Sequence, residues 1–278
     1  MLKQSIIIIM AKLYMLTEHS PFMMSFVFIT DKDNAIIIDG GRPSDMEHLR
    51  EIVGGRQIKA WILTHPHYDH MLGFTSEVEK GEILDRIDKV YYNFPSEEFV
   101  LSCEPEIQPV AISAFNKILP KVKDKCVIVD PSLTITIDEL TIDFLFCGEE
   151  RYRYPKPNLA VNESSIAFKV TSPGMRSVLF LGDLGPCGGR DLLKMHGNNL
   201  KSDIVQMSHH GHSGVTEEVY RTIAPQACMW CAPDWLWEEE DTEFEPELWG
   251  TWHQRKWMYN MGITEHYVTK DGTQEIPL

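Results

Sequence analysis

The chain has 278 residues, of which 43% are hydrophobic and 24% are charged, a composition typical of a globular protein with a sizeable core. Its formal net charge of −15, from 41 acidic and 26 basic residues, argues against binding of long nucleic acids, which requires a positively charged surface. The sequence contains no segment long and apolar enough to predict a membrane span and no evident secretory signal. We therefore expect a cytoplasmic protein whose partner is a small-molecule substrate.

The predicted elements alternate between strands and helices. The first third contains a buried strand at 6–9, a hairpin formed by 24–30 and 35–39, and a helix at 44–53. A short apolar strand at 59–64 then leads directly into a histidine-rich segment. The later predicted strands are 89–93, 126–129, 133–137, 140–146, 164–171, 177–182, 203–208, 266–269 and 274–276, and the later helices are 109–119, 189–196 and 216–223.

The order of these elements indicates mixed sheets covered by helices. Repeats and long flexible linkers are absent from the sequence, so a single domain spanning 1–278 is favoured. A Trp-rich acidic segment near 234–252 is interpreted as an insertion. Tryptophans there would anchor the segment to the core while its acidic side chains face water.

The strongest chemical signal is Thr64-His65-Pro66-His67-Tyr68-Asp69-His70. In an extended backbone His65 and His67 point to the same side and can share one metal ion. A helix that begins near Asp69 would direct Asp69 and His70 to a neighbouring position. Imidazole and carboxylate ligands together suit zinc, and also iron or manganese. A metal site therefore accounts for this spacing better than a solvated histidine-rich turn does.

This segment resembles the H-x-H-x-D-H motif of the metallo-β-lactamase superfamily, and further segments match that family in order. Asp39, at the end of a predicted strand, is similar to the family aspartate that supports the histidine loop. Asp183 follows another strand and is similar to the aspartate that bridges two metal ions. The family histidine that usually precedes this bridging aspartate is missing between His70 and Asp183, where Asn162-x-x-Ser165 occurs instead.

In this feature the sequence resembles a subgroup of the family that includes the hydrolase-like domain of competence DNA-uptake channels and is similar to phosphorylcholine esterases. In this subgroup a His-His-Gly segment, here His209-His210-Gly211, implies the missing ligand. We expect His210 to be that ligand, although strand alternation leaves His209 as the alternative. The resemblance places a last histidine ligand further downstream, where His253 is the best candidate and a surface position is its alternative reading.

The resemblance implies an α/β fold, an αββα sandwich of two mixed β-sheets with outer helices. It also implies two divalent metal ions, expected to be zinc, with iron or manganese as alternatives. The implied ligands of the first ion are His65, His67 and one of His209 and His210. Those of the second ion are Asp69, His70 and His253. Asp183 is the implied bridge between the two ions.

These features predict a metal-dependent hydrolase that uses a metal-bridging hydroxide. Asp69 would orient this nucleophile, and His209 would assist the leaving group. The subgroup resemblance favours a phosphodiester or another small ester, while a lactonase or thioesterase is the alternative on the same fold. A non-catalytic or degenerate metal-binding interaction module is the alternative from another class, and a serine or cysteine hydrolase is a third.

Overall fold

The computed structural model describes residues 11–104, 109–148, 150, 160–238 and 250–278. The predicted strand at 6–9 and the acidic part of the proposed insertion, 239–249, lie outside these residues. In chain order the strands are β1 (Lys12–Met15), β2 (Ser25–Ile29), β3 (Ala35–Asp39), β4 (Ile58–Ile62), β5 (Val90–Tyr92), β6 (Cys126–Ile128), β7 (Thr134–Ile137), β8 (Leu140–Phe146), β9 (Ala167–Thr171), β10 (Val178–Phe180), β11 (Ile204–Gln206), β12 (Ala227–Trp230), β13 (Glu265–Val268) and β14 (Gln274–Ile276). The α-helices are α1 (Met46–Val53), α2 (Tyr68–Lys80), α3 (Glu97–Cys103), α4 (Pro109–Val122), α5 (Pro186–His196), α6 (Glu217–Ile223), α7 (Asp234–Trp237) and α8 (Trp252–Asn260).

The strands form two seven-stranded sheets, ordered β14-β1-β2-β3-β4-β5-β6 and β13-β12-β11-β10-β9-β8-β7. In the first sheet β14 to β3 pair antiparallel and β3 to β6 pair parallel. In the second, β7 to β10 pair antiparallel and β10 to β13 pair parallel. Both sheets are therefore mixed, as the order of elements predicted.

Alternation along the strands divides the core into layers. Phe26 and Phe28 point between the sheets, where Phe26 meets Phe180 of the other sheet edge to face with ring centroids 5.1 Å apart. Val27, which lies between them in sequence, points to the opposite face and packs with Trp61 under the outer helices. The apolar face of the second sheet is covered in the same way by residues of α5, α6 and α8. The predicted αββα sandwich is confirmed.

Several helix bounds differ from the predicted ones. Helix α5 begins at Pro186, three residues before the predicted start, because proline is well suited to the first helical turn. Helix α4 continues to Val122, and α3 was not predicted. None of the described helices combines the length and apolar character needed to cross a bilayer.

The fold brings the ends of four strands to one edge of the sandwich. The segments after β3 and β4 in the first sheet meet those after β10 and β11 in the second. A backbone hydrogen bond from Ile166 N to Thr64 O at 2.9 Å joins the segment after β4 to the start of β9 in the other sheet, and one from His209 N to Gly182 O at 3.1 Å joins the segments after β11 and β10. The histidine-rich segment and Asp183 therefore converge although they belong to different sheets.

Candidate metal centre

Asp39 supports the histidine-rich loop. Its carboxylate accepts hydrogen bonds from Thr64 N at 2.7 Å, from Thr64 Oγ1 at 2.8 Å and from His70 Nδ1 at 2.8 Å, and the side chain is fully buried. The bond to the ring fixes the imidazole so that Nε2 faces away from the loop. This is the supporting role that the resemblance implied for Asp39.

His65, His67 and Asp183 form one potential metal-binding group. One ligand atom of each residue lies within 4.8 Å of the others, and all three side chains are buried. His65 makes its contact with Thr64 Oγ1 through Nδ1, at 3.1 Å, which leaves Nε2 facing the centre. The expected pairing of the two histidines before Asp69 is therefore possible in this geometry.

A second group consists of four buried residues, Asp69, His70, Asp183 and His210. His70 Nε2 lies 3.2 Å from Asp183 Oδ2, and His210 Nε2 lies 3.1 Å from Asp69 Oδ2. Asp183 belongs to both groups, which is the position that a bridging carboxylate requires. His210 groups with Asp69 and His70, whereas the sequence predicts that His210 or His209 binds together with His65 and His67.

The pair His209–His210 lies in a tight turn rather than in a strand. Both residues have left-handed backbone conformations, with φ of 52° and 56°. The premise that strand alternation sends these side chains to opposite faces is therefore wrong. His210 Nδ1 contacts Cys231 O at 3.0 Å, while His209 Nε2 lies 3.1 Å from Asn162 Nδ2 and outside both metal-binding groups.

The Asn162-x-x-Ser165 segment has a positioning role. Ser165 Oγ accepts a hydrogen bond from Asp183 N at 3.0 Å. Gly182, immediately before Asp183, has a φ of 57°, and a Cβ at this position would lie 3.0 Å from Ser165 Cβ. The serine therefore fixes the backbone that delivers the shared carboxylate, and the asparagine contacts His209.

His253 is not brought to the two groups. It lies in the first turn of α8, where its ring packs against Trp252 with centroids 4.9 Å apart. The groups of potential ligands found among the described residues do not include it. Its role as a metal ligand stays a prediction.

The charges of the second group depend on one another. Burial alone would lower the pKa of His210, but the carboxylates of Asp183 and Asp69 outweigh burial and raise it to about 10. Burial alone would raise the pKa of Asp183, but His70 and His210 hold it well below its ordinary value. Burial lowers the pKa of His209 to about 4. A neutral His209 can therefore sit beside Asn162 without a counter-charge.

The polar atoms left over suit divalent cations. His65 Nε2 and Asp183 Oδ1 are buried and make no hydrogen bond with the described residues. A buried polar atom without a partner is costly, and metal binding supplies one. The combination of imidazole nitrogen and carboxylate oxygen around a shared aspartate fits a dinuclear site for zinc, iron or manganese.

Two residues that sequence reasoning did not single out also lie at this site. Glu104, which follows α3, places Oε2 3.0 Å from His67 Nε2, and its side chain is buried. Arg42 stacks its guanidinium on Tyr68, 4.4 Å from the ring centroid, beside the metal-binding groups. No spacing pattern marks either residue, because each reaches the site only through the fold.

Comparison with known proteins identifies the family and agrees with the fold. The family model of the metallo-β-lactamase superfamily matches residues 20–220, and the chain belongs to this superfamily. The metallo-β-lactamase fold protein YhfI from Bacillus subtilis superposes with a TM-score of 0.57 at 14% identity, over 96% of this chain and 99% of that one. CmlA, a diiron β-hydroxylase from Streptomyces venezuelae, superposes with a TM-score of 0.59 at 13% identity, over 97% of this chain but 54% of CmlA. These likenesses show the fold, and no curated protein matches the sequence.

Proposed function

We propose that the protein is a metal-dependent hydrolase of phosphodiesters or other small phosphate esters. The observation that carries the proposal is Asp183, a buried carboxylate shared by two groups of metal-ligand side chains. When bound there, a pair of divalent cations polarises an ester and lowers the pKa of water to near neutral. The resemblance to the competence-channel and phosphorylcholine-esterase subgroup supports phosphate among the possible esters.

Arg42 supports an anionic substrate. Among the described residues no carboxylate lies within ion-pair distance of its guanidinium group, and its Nε is buried without a hydrogen-bond partner. Its cation instead faces the rings of Phe22 and Tyr68, 5.2 and 4.4 Å from the centroids. Phe22 in turn packs on His210 with ring centroids 5.3 Å apart. In a chain of net charge −15, a cation that has no carboxylate partner among the described residues and lies beside the metal centre is suited to hold a phosphate oxygen.

The residues of the site would have four different roles in this reaction. His65, His67, Asp69, His70, Asp183 and His210 would hold the ions. Asp69 would orient the attacking water, and the neutral ring of His209 would assist the leaving group by donating a hydrogen bond, the two catalytic roles expected from sequence. Arg42 would bind the phosphate oxygens that face away from the ions.

The test begins with the protein purified without added metal. We would determine bound metals per chain by elemental analysis and assay bis(p-nitrophenyl) phosphate and a simple lactone with and without chelator. About two equivalents of metal and chelator-sensitive phosphodiesterase activity, both lost in Asp183→Asn, would support the proposal. Metal without any hydrolysis would indicate the interaction module, and preference for the lactone would contradict the phosphate assignment.

Arg42→Gln tests the substrate class separately. Loss of a hydrogen bond to a charged group costs about 1.5–3 kcal/mol, so kcat/KM for the phosphodiester should fall about 10- to 100-fold. Hydrolysis of an uncharged lactone should change little. Arg221→Gln is the matched control, because Arg221 pairs with Glu217 on the surface of α6. Equal losses on both substrates would remove Arg42 from the phosphate-binding role.

A further inference from the structure

We infer that Tyr220 is a positioning residue of the metal centre, because its hydroxyl group fixes the turn that carries His209 and His210. Through Gln254 it also ties this turn to α8. The inference rests on the proposed function, since His210 is one of the residues proposed to hold an ion. Tyr220 itself lies on α6, is fully buried and belongs to neither potential metal-binding group.

The turn after β11 has a backbone that needs support. His209 and His210 adopt left-handed conformations with φ of 52° and 56°, and Gly211 follows with a φ of 87°. Left-handed conformations cost free energy in residues other than glycine and persist only where the surrounding structure fixes them. His210 Nε2 lies 3.1 Å from Asp69 Oδ2. The conformation of this turn therefore decides whether the ring of His210 reaches the second group.

Ser208, the residue before the two histidines, is the point at which the turn is fixed. Its backbone N–H donates to Tyr220 Oη at 3.0 Å, and its Oγ donates to Leu184 O at 2.5 Å. Its carbonyl oxygen accepts from Gly211 N at 3.0 Å. Ser208 is fully buried, so water cannot replace these partners without a local rearrangement. Tyr220 supplies the one side-chain partner among these three bonds.

The hydroxyl group of Tyr220 is engaged on both sides. A backbone N–H can only donate, so Oη accepts from Ser208 and has its single proton left for another acceptor. That acceptor is Gln254 Oε1, at 3.2 Å. Burial raises the pKa of Tyr220 above its ordinary value, so the proton stays on the oxygen. Tyrosine can make both bonds, whereas phenylalanine at this position could make neither.

Two packed helices hold this hydroxyl group in place. Tyr220 of α6 and Met258 of α8 belong to the same buried hydrophobic cluster. The rings of Tyr220 and Trp257 lie 6.4 Å apart between their centroids, and Gln254 is buried as well. Helix α8 therefore supports the turn through Gln254, although the neighbouring His253 belongs to neither metal-binding group.

The first experiment measures zinc binding by the full chain. Tyr220→Phe removes the hydroxyl oxygen alone and leaves the N–H of Ser208 buried without its partner. In the metal-free variant the turn can relax to regain a bond, and zinc binding must then restore the strained turn. An unsatisfied buried donor is costly, so we expect the affinity for one of the two ions to fall about 5- to 100-fold. The affinity for the ion beside His65 and His67 should change little.

Two outcomes of this titration would refute the positioning role. A tyrosine that serves stability alone would lower Tm in Tyr220→Phe and leave both zinc affinities unchanged. An equal loss at both ions would indicate a general disturbance of the centre. Tyr259→Phe is the matched control, because Tyr259 lies on α8 and is 82% exposed, and it should change neither affinity.

A double-mutant cycle tests the link to α8. Gln254→Leu removes the acceptor of the hydroxyl proton and should weaken binding of the same ion about 2- to 10-fold, the net value of one hydrogen bond. In a chain that already carries Tyr220→Phe, Gln254→Leu should cause no further loss, because the two residues act through one bond. Additive losses would show that Gln254 acts independently and would remove α8 from the inference.

A measurement without metal separates this inference from the proposed function. In spectra of the metal-free protein labelled with ¹⁵N-histidine, Tyr220→Phe should shift the ring signals of His209 and His210 and leave those of His65 and His67 unchanged. If the wild type binds no zinc but this selective shift occurs, the proposed function fails while the positioning role stands. If the ring signals of His209 and His210 do not shift, the inference fails whether or not zinc binds.

Discussion

Asp39→Asn tests how the site is held together without touching a metal ligand. The substitution keeps the shape of the side chain but replaces one carboxylate oxygen by an amide NH₂ group. If this group faces His70, two donors oppose each other and the ring must move its proton to Nε2. That atom lies 3.2 Å from Asp183 Oδ2 and is the nitrogen available to a metal. If the amide is turned over, the NH₂ group opposes the N–H of Thr64 instead.

The size of the effect follows from the bonds at stake. Loss of an outer carboxylate partner of a ligating histidine typically costs 10- to 100-fold in metal affinity, or about 1.4–2.7 kcal/mol. With zinc in excess, the stabilisation of the folded state by the metal falls by the same amount. For a chain of this size that corresponds to a decrease of about 3–10 °C in Tm.

The assay is a zinc competition titration against a chromophoric chelator, combined with thermal unfolding with and without zinc. Asp45→Asn is the control, because Asp45 is also buried and accepts hydrogen bonds from His19 N at 2.7 Å and Arg42 N at 2.8 Å. It should lower Tm equally in both conditions and leave zinc affinity unchanged. If Asp39→Asn also leaves zinc affinity unchanged, the reasoning about the His70 tautomer is refuted.

Three further predictions concern the two neighbouring histidines, His253 and the packing of α2. His210→Ala should reduce bound metal toward one equivalent, whereas His209→Ala should retain two equivalents and lower kcat, because of these two residues only His210 lies within a metal-binding group. Equal loss of metal in both variants, measured by elemental analysis, would contradict this prediction. His253→Ala tests the ligand role predicted for His253 from sequence; because the potential metal-binding groups among the described residues do not include it, metal content should stay at the wild-type value, and a loss of one equivalent would support the ligand role. Gly73→Ala should lower the free energy of unfolding, measured by denaturant titration, by about 1–3 kcal/mol, because the added Cβ would lie 2.6 Å from Gly40 O. Gly55→Ala is the control, because a Cβ there meets nothing within 4 Å. Equal stability of the two variants would count against close packing at Gly73.

The metal-binding character of the histidine-rich loop could be predicted from the local sequence. His65 and His67 lie two residues apart in the segment between β4, which ends at Ile62, and α2, which begins at Tyr68, whereas Asp69 and His70 lie in the first turn of α2. The backbone bends at His65 and Pro66 rather than continuing as a strand, so the spacing predicted the division between the two groups although the extended backbone it assumed is not observed. The sandwich was visible too, because apolar runs such as Ala35–Ile38 alternate with helices and turns throughout the chain.

The position of His210 could not be obtained in the same way. The segment 203–208 has the composition of a strand, and extending that strand placed His209 and His210 on opposite faces. In the structure β11 ends at Gln206 and the two histidines adopt left-handed conformations. Such conformations are uncommon for residues other than glycine, and nothing in the local pattern specifies them. Backbone bonds from the neighbouring segment, including His209 N to Gly182 O, stabilise the turn.

Glu104 and Arg42 were missed for a different reason. Glu104 is 37 residues from His67, in a chain with 41 acidic residues, so its identity as an acid carries almost no information. Its burial is what distinguishes it. Arg42 resembles any arginine after a glycine pair, and only the structure shows that its guanidinium group lies against the rings of Phe22 and Tyr68.

The segment Asn162-x-x-Ser165 contributes no residue to either potential metal-binding group among the described residues. This segment contacts His209 and the backbone of Asp183 and acts on the metals only through those residues. Since His210 joins the other group, the group around His65 and His67 contains three potential ligands and the second group contains four. A catalytic ion needs coordination positions that the protein does not fill. With fewer protein ligands, the group around His65 and His67 would leave more room for a substrate, and the contact of Glu104 with His67 lies at that end of the site.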